Sequence, residues 1–531
     1  MFNSTYRAAW QALQSHRAQV GELDMGALLQ DERHVSQFVL RAGGWYLDFS
    51  RNQMTQETWR LLLNWATAAE LPAAIAALFV GETVNVSESR AALHTALRDA
   101  SDSAIWVDGE NIKPGIQQCQ RKLLALAEMI RARQFIASGE KPIESVVVLG
   151  IGGSHLGPAM VKEALAAYSD TDLRIHFVSS VDGTALSQVL AALEPATTLF
   201  ILSSKSFTTS ETQFNVQRAI AWLAAHCSSE QALSRHFIAV TAKPEKALAM
   251  GIPESHILPL WDWVGGRFSV WSAVGLPIAI AFGGEVFLSL LAGASEMDQH
   301  FRNAPLAENA PVLMGLLACW YRNFCAYESQ AIVSYDAGMS LFASFQQQLH
   351  MESLGKRVDI NGEILEQHSG GIIWGGTGPD GQHAYHQLLH QGNTTIPVDF
   401  ILPIKAPQAS QAARQQLIAN CLAQAMTLSF GTRDDSLPSC QQLPGNRPCN
   451  LLVCDELTPQ RLGALIALYE HKVYVQSVLW RINAFDQWGV ELGKRHASTL
   501  LSWFEQAEPE QLEDTATQAL LTYIQQVLAT K

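Results

Sequence analysis

The hydrophobic pattern along this chain changes its period near residue 143. Before that point apolar residues recur at helical spacing, Trp10, Leu13 and Val20 in one stretch and Trp59, Leu62, Leu63 and Trp65 in another. This predicts a mostly helical N-terminal region over residues 1 to about 120. From about 143 to 260 short β-rich runs alternate with helical segments: SVVVLG, RIHFVSS, TTLFILSS, HFIAVTA and HILPL. Strands alternating with helices imply a parallel, doubly wound sheet. Beyond 310 the alternation is fainter. NLLVCDEL reads as a strand, and the segments near 310–328, 343–354, 409–427 and 459–478 read as helices. From about Pro509 to Lys531 a final stripe of Leu520, Leu521, Ile524, Val527 and Leu528 predicts a helix. Packing on its own subunit is the plain expectation for that helix, and packing on a partner subunit is the alternative.

Composition narrows the function classes. With 531 residues, 48% hydrophobic and 16% charged, the chain predicts a globular protein of two domains sharing an interface. Its net charge of −14, with no basic run, argues against nucleic acid as a partner. A small anion remains compatible, because backbone N–H groups and one or two cations can bind phosphate within an acidic background. The opening MFNSTYRAAWQAL lacks an apolar core and a cleavage site, so no signal peptide is expected. The apolar stretch from Ala273 to Gly284 is too short to span a bilayer. Eight cysteines without a CxxC pair suit reduced thiols in a cytoplasm and offer no zinc framework.

Candidate chemistry begins at residues 150–158, GIGGSHLGP, directly after the apolar run Val146 to Leu149. A dinucleotide fingerprint would need glycine where His155 stands, and a Walker-type loop would need lysine where Pro158 stands. What remains is a strand, then Gly150, Gly152, Gly153 and Ser154, then a helix start, where bare amides and a hydroxyl can hold an anion. A tight structural turn would account for the glycines equally well. The second loop, SSKSFTTSET, packs Ser203, Ser204, Lys205, Ser206, Thr208, Thr209 and Ser210 together after another strand. Thr208 and Glu211 have capping-box spacing, yet capping explains one or two hydroxyls rather than six. Two such loops could meet at the switch point of one open sheet and bind a phosphate monoester.

Three further islands join glycine, aromatic and charged residues: DWVGGRFSVWS at 262–272, QQQLHMESLGKR at 346–357 and FDQWGVELGKR at 485–495. With GIGGS, SKSFTT, ESRAALHTALR (88–98), GPDGQHAYHQLLHQG (378–392), PGNRP (444–448) and YEHKVYVQ (469–476), the chain resembles the phosphoglucose isomerase family from about residue 40 to 495.

The resemblance implies reversible, metal-independent aldose-ketose isomerisation of glucose 6-phosphate and fructose 6-phosphate. The reaction runs through ring opening and a cis-enediol(ate), in glycolysis and gluconeogenesis. It makes Glu352 the base between C2 and C1, since one carboxylate can take and return the same proton. Arg267 becomes the permanently cationic group beside the developing enediolate. His383 and Lys494 become the ring-opening pair, with the histidine reaching the site from the neighbouring subunit. Gly153, Ser154, Ser204, Lys205, Ser206, Thr208, Thr209 and Gln348 fall at substrate contacts, Gln348 on the helix face of Glu352. No cofactor and no metal are implied.

The implied partners are a phosphosugar and a second copy in a homodimer with a shared active site, in the cytoplasm, without nucleic acid or membrane. The implied fold class is α/β: two doubly wound parallel-sheet domains of the sugar-isomerase type, an N-terminal helical region and a C-terminal helical tail. The expected boundaries are 1–120, packing on the larger domain; 121–285, the smaller phosphosugar-binding domain; 286–505, the larger domain; and 506–531, the tail.

The chain departs from the family pattern at His155, where an acidic residue is frequent, and at Gly376, where glutamate is common. One competing reading is a metal site built on the helical spacing of His383, His386 and His390, although no acidic or cysteine partner stands at ligand spacing. Another is a non-catalytic phosphosugar-binding regulator, which would have no use for Glu352, Arg267, His383 and Lys494 together.

Overall fold

A computed structural model describes residues 4–505 and 512–530, apart from 22, 139, 433 and 435. It divides into two compact units, Met1–Phe485 and Asp486–Lys531.

In the first unit, strands β1 (Val39–Ala42) and β2 (Trp45–Asp48) form a hairpin, and β3 (Trp106–Val107) and β4 (Glu110–Asn111) a small ribbon. The region before residue 120 is therefore not purely helical, although helices Ser4–Val20, Gln56–Ala68 and Leu71–Val80 follow the apolar spacing. Strands β5 (Ser145–Leu149), β6 (Arg174–Val178), β7 (Thr198–Ser203), β8 (Phe237–Thr241) and β9 (Ile257–Pro259) then build an all-parallel sheet in the order β6-β5-β7-β8-β9. Every residue of β5, β7 and β8 is buried, as expected when helices cover both faces of a parallel sheet. The order reverses between β5 and β7, so the switch point lies where GIGGS and SKSFTT leave the sheet.

A second sheet contains β10 (Ser329–Ser334), β11 (Ile372–Thr377), β12 (Val398–Lys405) and β13 (Cys449–Glu456), in the order β1-β2-β13-β12-β10-β11. Its four later strands are parallel and repeat the same winding, while β2 pairs antiparallel with β13. Helix Pro459–Trp480 crosses behind this sheet with 19 of its 22 residues buried, so it has no polar face to mark it as amphipathic. It sits close against helix Gly284–Asn303. A Cβ on Gly463 would lie 1.9 Å from the Leu290 carbonyl oxygen, so only glycine permits the crossing.

Helix 310–328 is observed as Ala310–Asn323 and helix 409–427 as Gln411–Phe430. The segment expected as one helix over 343–354 divides into helix Phe342–Gln347 and a π-turn over Gln348–Glu352. Among the described residues no single helix is long and apolar enough to cross a membrane. All eight cysteines are free thiols.

In the second unit, helices Glu491–Glu505 and Thr515–Ala529 carry the C-terminal sequence. Residues 506–511 and 531 of the expected tail lie outside the described residues. Of the stripe residues in this unit, Leu520, Ile524, Val527 and Leu528 are exposed and Leu521 is buried.

Candidate active site

The chain leaves β5 at Leu149 and turns through Gly152, whose φ of 58° and ψ of −123° suit glycine alone, into helix Gly153–Ala164. Ser154 therefore stands in the first turn, where helix N–H groups have no intrahelical acceptor. A Cβ on Gly150 would lie 3.3 Å from the Ser203 carbonyl oxygen, which places the start of the hydroxyl loop against the glycine loop.

The hydroxyl loop differs from its capping-box expectation. Helix Ser210–Leu223 begins after Thr209, which makes no side-chain cap bond, and Glu211 accepts from Ser210 Oγ. The other hydroxyls face one another: Thr208 Oγ1 donates to Ser206 Oγ at 3.0 Å, and Ser204 Oγ lies 3.4 Å from Thr209 Oγ1. Phe207 holds φ at 57°, a conformation costing on the order of 1–3 kcal/mol for a bulky residue. Its side chain is buried in the apolar cluster that also holds Leu149, Leu202 and Val216, and this packing keeps the turn in place. Lys205 does not simply point into the site. Its ammonium donates to the carbonyls of Asp262 and Val264, both at 2.9 Å, and so ties the hydroxyl loop to the stretch before Arg267. Burial lowers its pKa, against the pull of Asp262.

The second half of the site meets the glycine loop backbone to backbone. A Cβ on Gly153 would stand 1.9 Å from the Gly266 oxygen, and one on Gly152 would stand 3.1 Å from Gln348 Nε2. Arg267, 2% exposed, occupies the short turn Gly266–Phe268. Its Nε donates to Ser353 Oγ at 2.6 Å, its Nη2 donates to the Ala484 carbonyl, and its Nη1 lies 3.4 Å from Glu352 Oε2. Glu352 keeps 24% of its side chain exposed, so the carboxylate is reachable from solvent. Gln348 and Glu352 bound the π-turn, an irregularity frequent at functional sites.

Four expected positions thus converge: the Gly153–Ser154 loop, Arg267, Gln348 and Glu352. Ser204, Lys205, Ser206, Thr208 and Thr209 join them through the contact at Gly150 and the Lys205 tie. His383 is not among them. It is exposed near the end of helix Gly378–Ala384, directly after edge strand β11, and among the described residues no hydrogen bond or ion pair joins it to Glu352 or Arg267. Lys494 lies in the second unit, exposed and paired with Glu491 at 2.7 Å. His386 and His390 both donate to Gln424 Oε1, at 3.0 and 2.8 Å, and among the described residues no group of three potential ligands is placed to hold a metal ion. His155 packs edge-on against Phe177, among the described residues its Nδ1 has no hydrogen-bond partner, and burial lowers its pKa.

Two stretches that sequence reasoning left without a role meet behind Arg267. Arg98 grips Asp298 with Nε at 2.8 Å and Nη2 at 2.7 Å, and reaches Glu470 with Nη1. Trp271 Nε1 donates to Glu470 Oε1 at 2.8 Å, His471 donates to Asp298, and His94 stacks on Phe268 at 4.6 Å. Burial raises the Glu470 pKa to about 7 despite Arg98. Burial also pushes Asp298 upward, but Arg98 and His471 outweigh it and hold its pKa below the ordinary value. Ser353 and this cluster carried no usable local signal, because each gains its role from a residue remote in sequence.

The family model for phosphoglucose isomerase matches residues 48–521. The glucose-6-phosphate isomerase of Ectopseudomonas mendocina (strain ymp) is 47% identical over 533 residues, covering 97% of this chain and 96% of that protein. That of Shewanella sp. (strain ANA-3) is 44% identical over 539 residues, covering 98% and 99%. The crystal structure of a glucose-6-phosphate isomerase from Chlamydia trachomatis D/UW-3/Cx superposes with a TM-score of 0.87 at 31% identity, covering 97% of this chain and 98% of that one. The converging loops, the doubly wound sheets and a match across nearly the whole length lead to one assignment: this chain belongs to the phosphoglucose isomerase family.

Proposed function

We propose that this protein interconverts glucose 6-phosphate and fructose 6-phosphate, as an aldose-ketose isomerase of glycolysis and gluconeogenesis. The observation that carries the reading is the buried Arg267 guanidinium, 3.4 Å from the partly open Glu352 carboxylate and in backbone contact with the glycine loop. A base and a fixed cation stand together at one end of a phosphate cradle.

The phosphate is held by the amides at the start of helix Gly153–Ala164, by Ser154, and by Ser204, Ser206, Thr208 and Thr209. Lys205 fixes that loop in place. The sugar then extends toward Gln348 and Glu352. Aldose and ketose are isomers, so C1 gains the hydrogen that C2 gives up and no external oxidant or reductant is needed. Glu352 takes the C2 proton and returns it to C1, while the enediolate oxygen develops its charge beside Arg267.

His383 and Lys494 open and close the ring, with His383 supplied by a partner subunit. The exposure of His383 and the uncovered stripe of Leu520, Ile524, Val527 and Leu528 support a homodimer with a shared site. We read the β5–β9 sheet with its helices as the smaller, phosphosugar-binding domain, and the cytoplasm as the compartment. The test is a coupled assay of fructose 6-phosphate conversion. Glu352→Gln should lose on the order of 10² to 10⁴ in turnover while still binding the phosphate ester. Near-normal turnover in that variant would remove the assignment of the base.

A further inference from the structure

We propose that Ser353 is a positioning residue that sets the plane of the Arg267 guanidinium beside Glu352. This rests on the reading of Arg267 as the group beside the enediolate.

Arginine and carboxylate side chains prefer a fork-to-fork pair with two parallel N–H···O bonds. An arginine left to that preference would lock the catalytic base in an ion pair and turn its donors away from the substrate oxygen. Here the contact is long, Nη1 to Glu352 Oε2 at 3.4 Å. The donor that could complete a fork with Nη1 is Nη2, and it is held by the Ala484 carbonyl. Nε, on the opposite side from Nη1, donates to Ser353 Oγ at 2.6 Å and fixes the plane of the guanidinium.

Ser353 is fully buried and follows Glu352 directly, at the end of the π-turn. One peptide unit therefore carries both the carboxylate facing Nη1 and the hydroxyl gripping Nε, so base and cation are registered through a single covalent link. Fixing the arginine's donors in advance is what makes them effective in the transition state.

The test is a two-residue cycle on the full-length enzyme. Ser353→Ala should lower kcat on the order of ten-fold with KM for fructose 6-phosphate nearly unchanged. It should weaken a phosphorylated aldonohydroxamate, whose planar anionic head imitates the enediolate, by a similar factor. Lysine has no Nε–H, so in an Arg267→Lys background the same Ser353→Ala change should cost little further. Unchanged kcat in Ser353→Ala, or an equal loss in both backgrounds, overturns the proposal. Full activity of Arg267→Lys alone would instead overturn the reading of Arg267, and the two failures are told apart by which single variant stays active.

Discussion

Gly153→Ala isolates the approach of the glycine loop to the Arg267 turn. Gly153 begins helix Gly153–Ala164, and the added Cβ would stand 1.9 Å from the Gly266 oxygen, 2.1 Å from its carbonyl carbon and 2.8 Å from the Arg267 nitrogen. A relaxed carbon–oxygen contact is about 3.3 Å, so the two loops must part by roughly 1.4 Å. All three clashing atoms are backbone, so no side chain can swing aside to relieve them. Misplacement by about 1 Å costs on the order of 10² in rate, equivalent to about 2.7 kcal/mol of barrier. Alanine is itself the better helix former by about 1 kcal/mol, so local propensity acts in the opposite direction to the expected loss. The coupled assay should show kcat/KM reduced by about 10² in a protein whose thermal transition remains cooperative. Gly266→Ala is the control from the other side of the same contact: its Cβ would enter open space, and its activity should change little. A folded Gly153→Ala enzyme with near-wild-type kcat/KM would refute the claim that this approach places Arg267.

Other outcomes follow from the same geometry. Mixing inactive Glu352→Gln and His383→Ala proteins should restore activity after subunit exchange, because one hybrid site then holds both intact groups; exchange without recovery rules out a shared site. Burial pushes the Glu470 pKa up to about 7 from an ordinary 4.5, so the fold favours its protonated form more than the unfolded chain does. Its contribution is complete below pH 4.5 and is lost as pH rises through about 7. Asp298, held ionised, and His94 and His471, held neutral by burial, act in the opposite sense in acid. Replacing the titrating carboxyl, as in Glu470→Gln, should therefore flatten the fall of melting temperature between pH 5.5 and 8, and an unchanged profile would count against Glu470 as its source. Lys205→Met removes the tie to the Asp262 and Val264 carbonyls, so KM for the phosphosugar should rise and the melting temperature fall; an unaltered KM would contradict its role in shaping the loop.

The amino-acid order by itself determined the local units of this protein. Five apolar runs became β5 to β9, and the glycines after Leu149 and the hydroxyls after Ser203 stand at the ends of adjoining strands. Arg267, Glu352 and Gln348 were marked as residues that belong together by the resemblance to the family. Strand β11, interrupted by Gly375 and Gly376, gave no strand pattern, and β1 and β2 were hidden in a helical neighbourhood until they paired beside β13. The π-turn was invisible because apolar spacing over one turn does not separate it from an α-helix.

Tertiary structure alone decided that Gly153 touches Gly266, that Lys205 is tied to backbone carbonyls, and that Ser353 holds Arg267 across 86 positions of sequence. It also joined the Arg98 and Glu470 stretches, 372 positions apart. The physical reason is one of range. Side-chain periodicity records which residues share a face of one element, whereas the partner of that face is chosen by packing among all the elements at once.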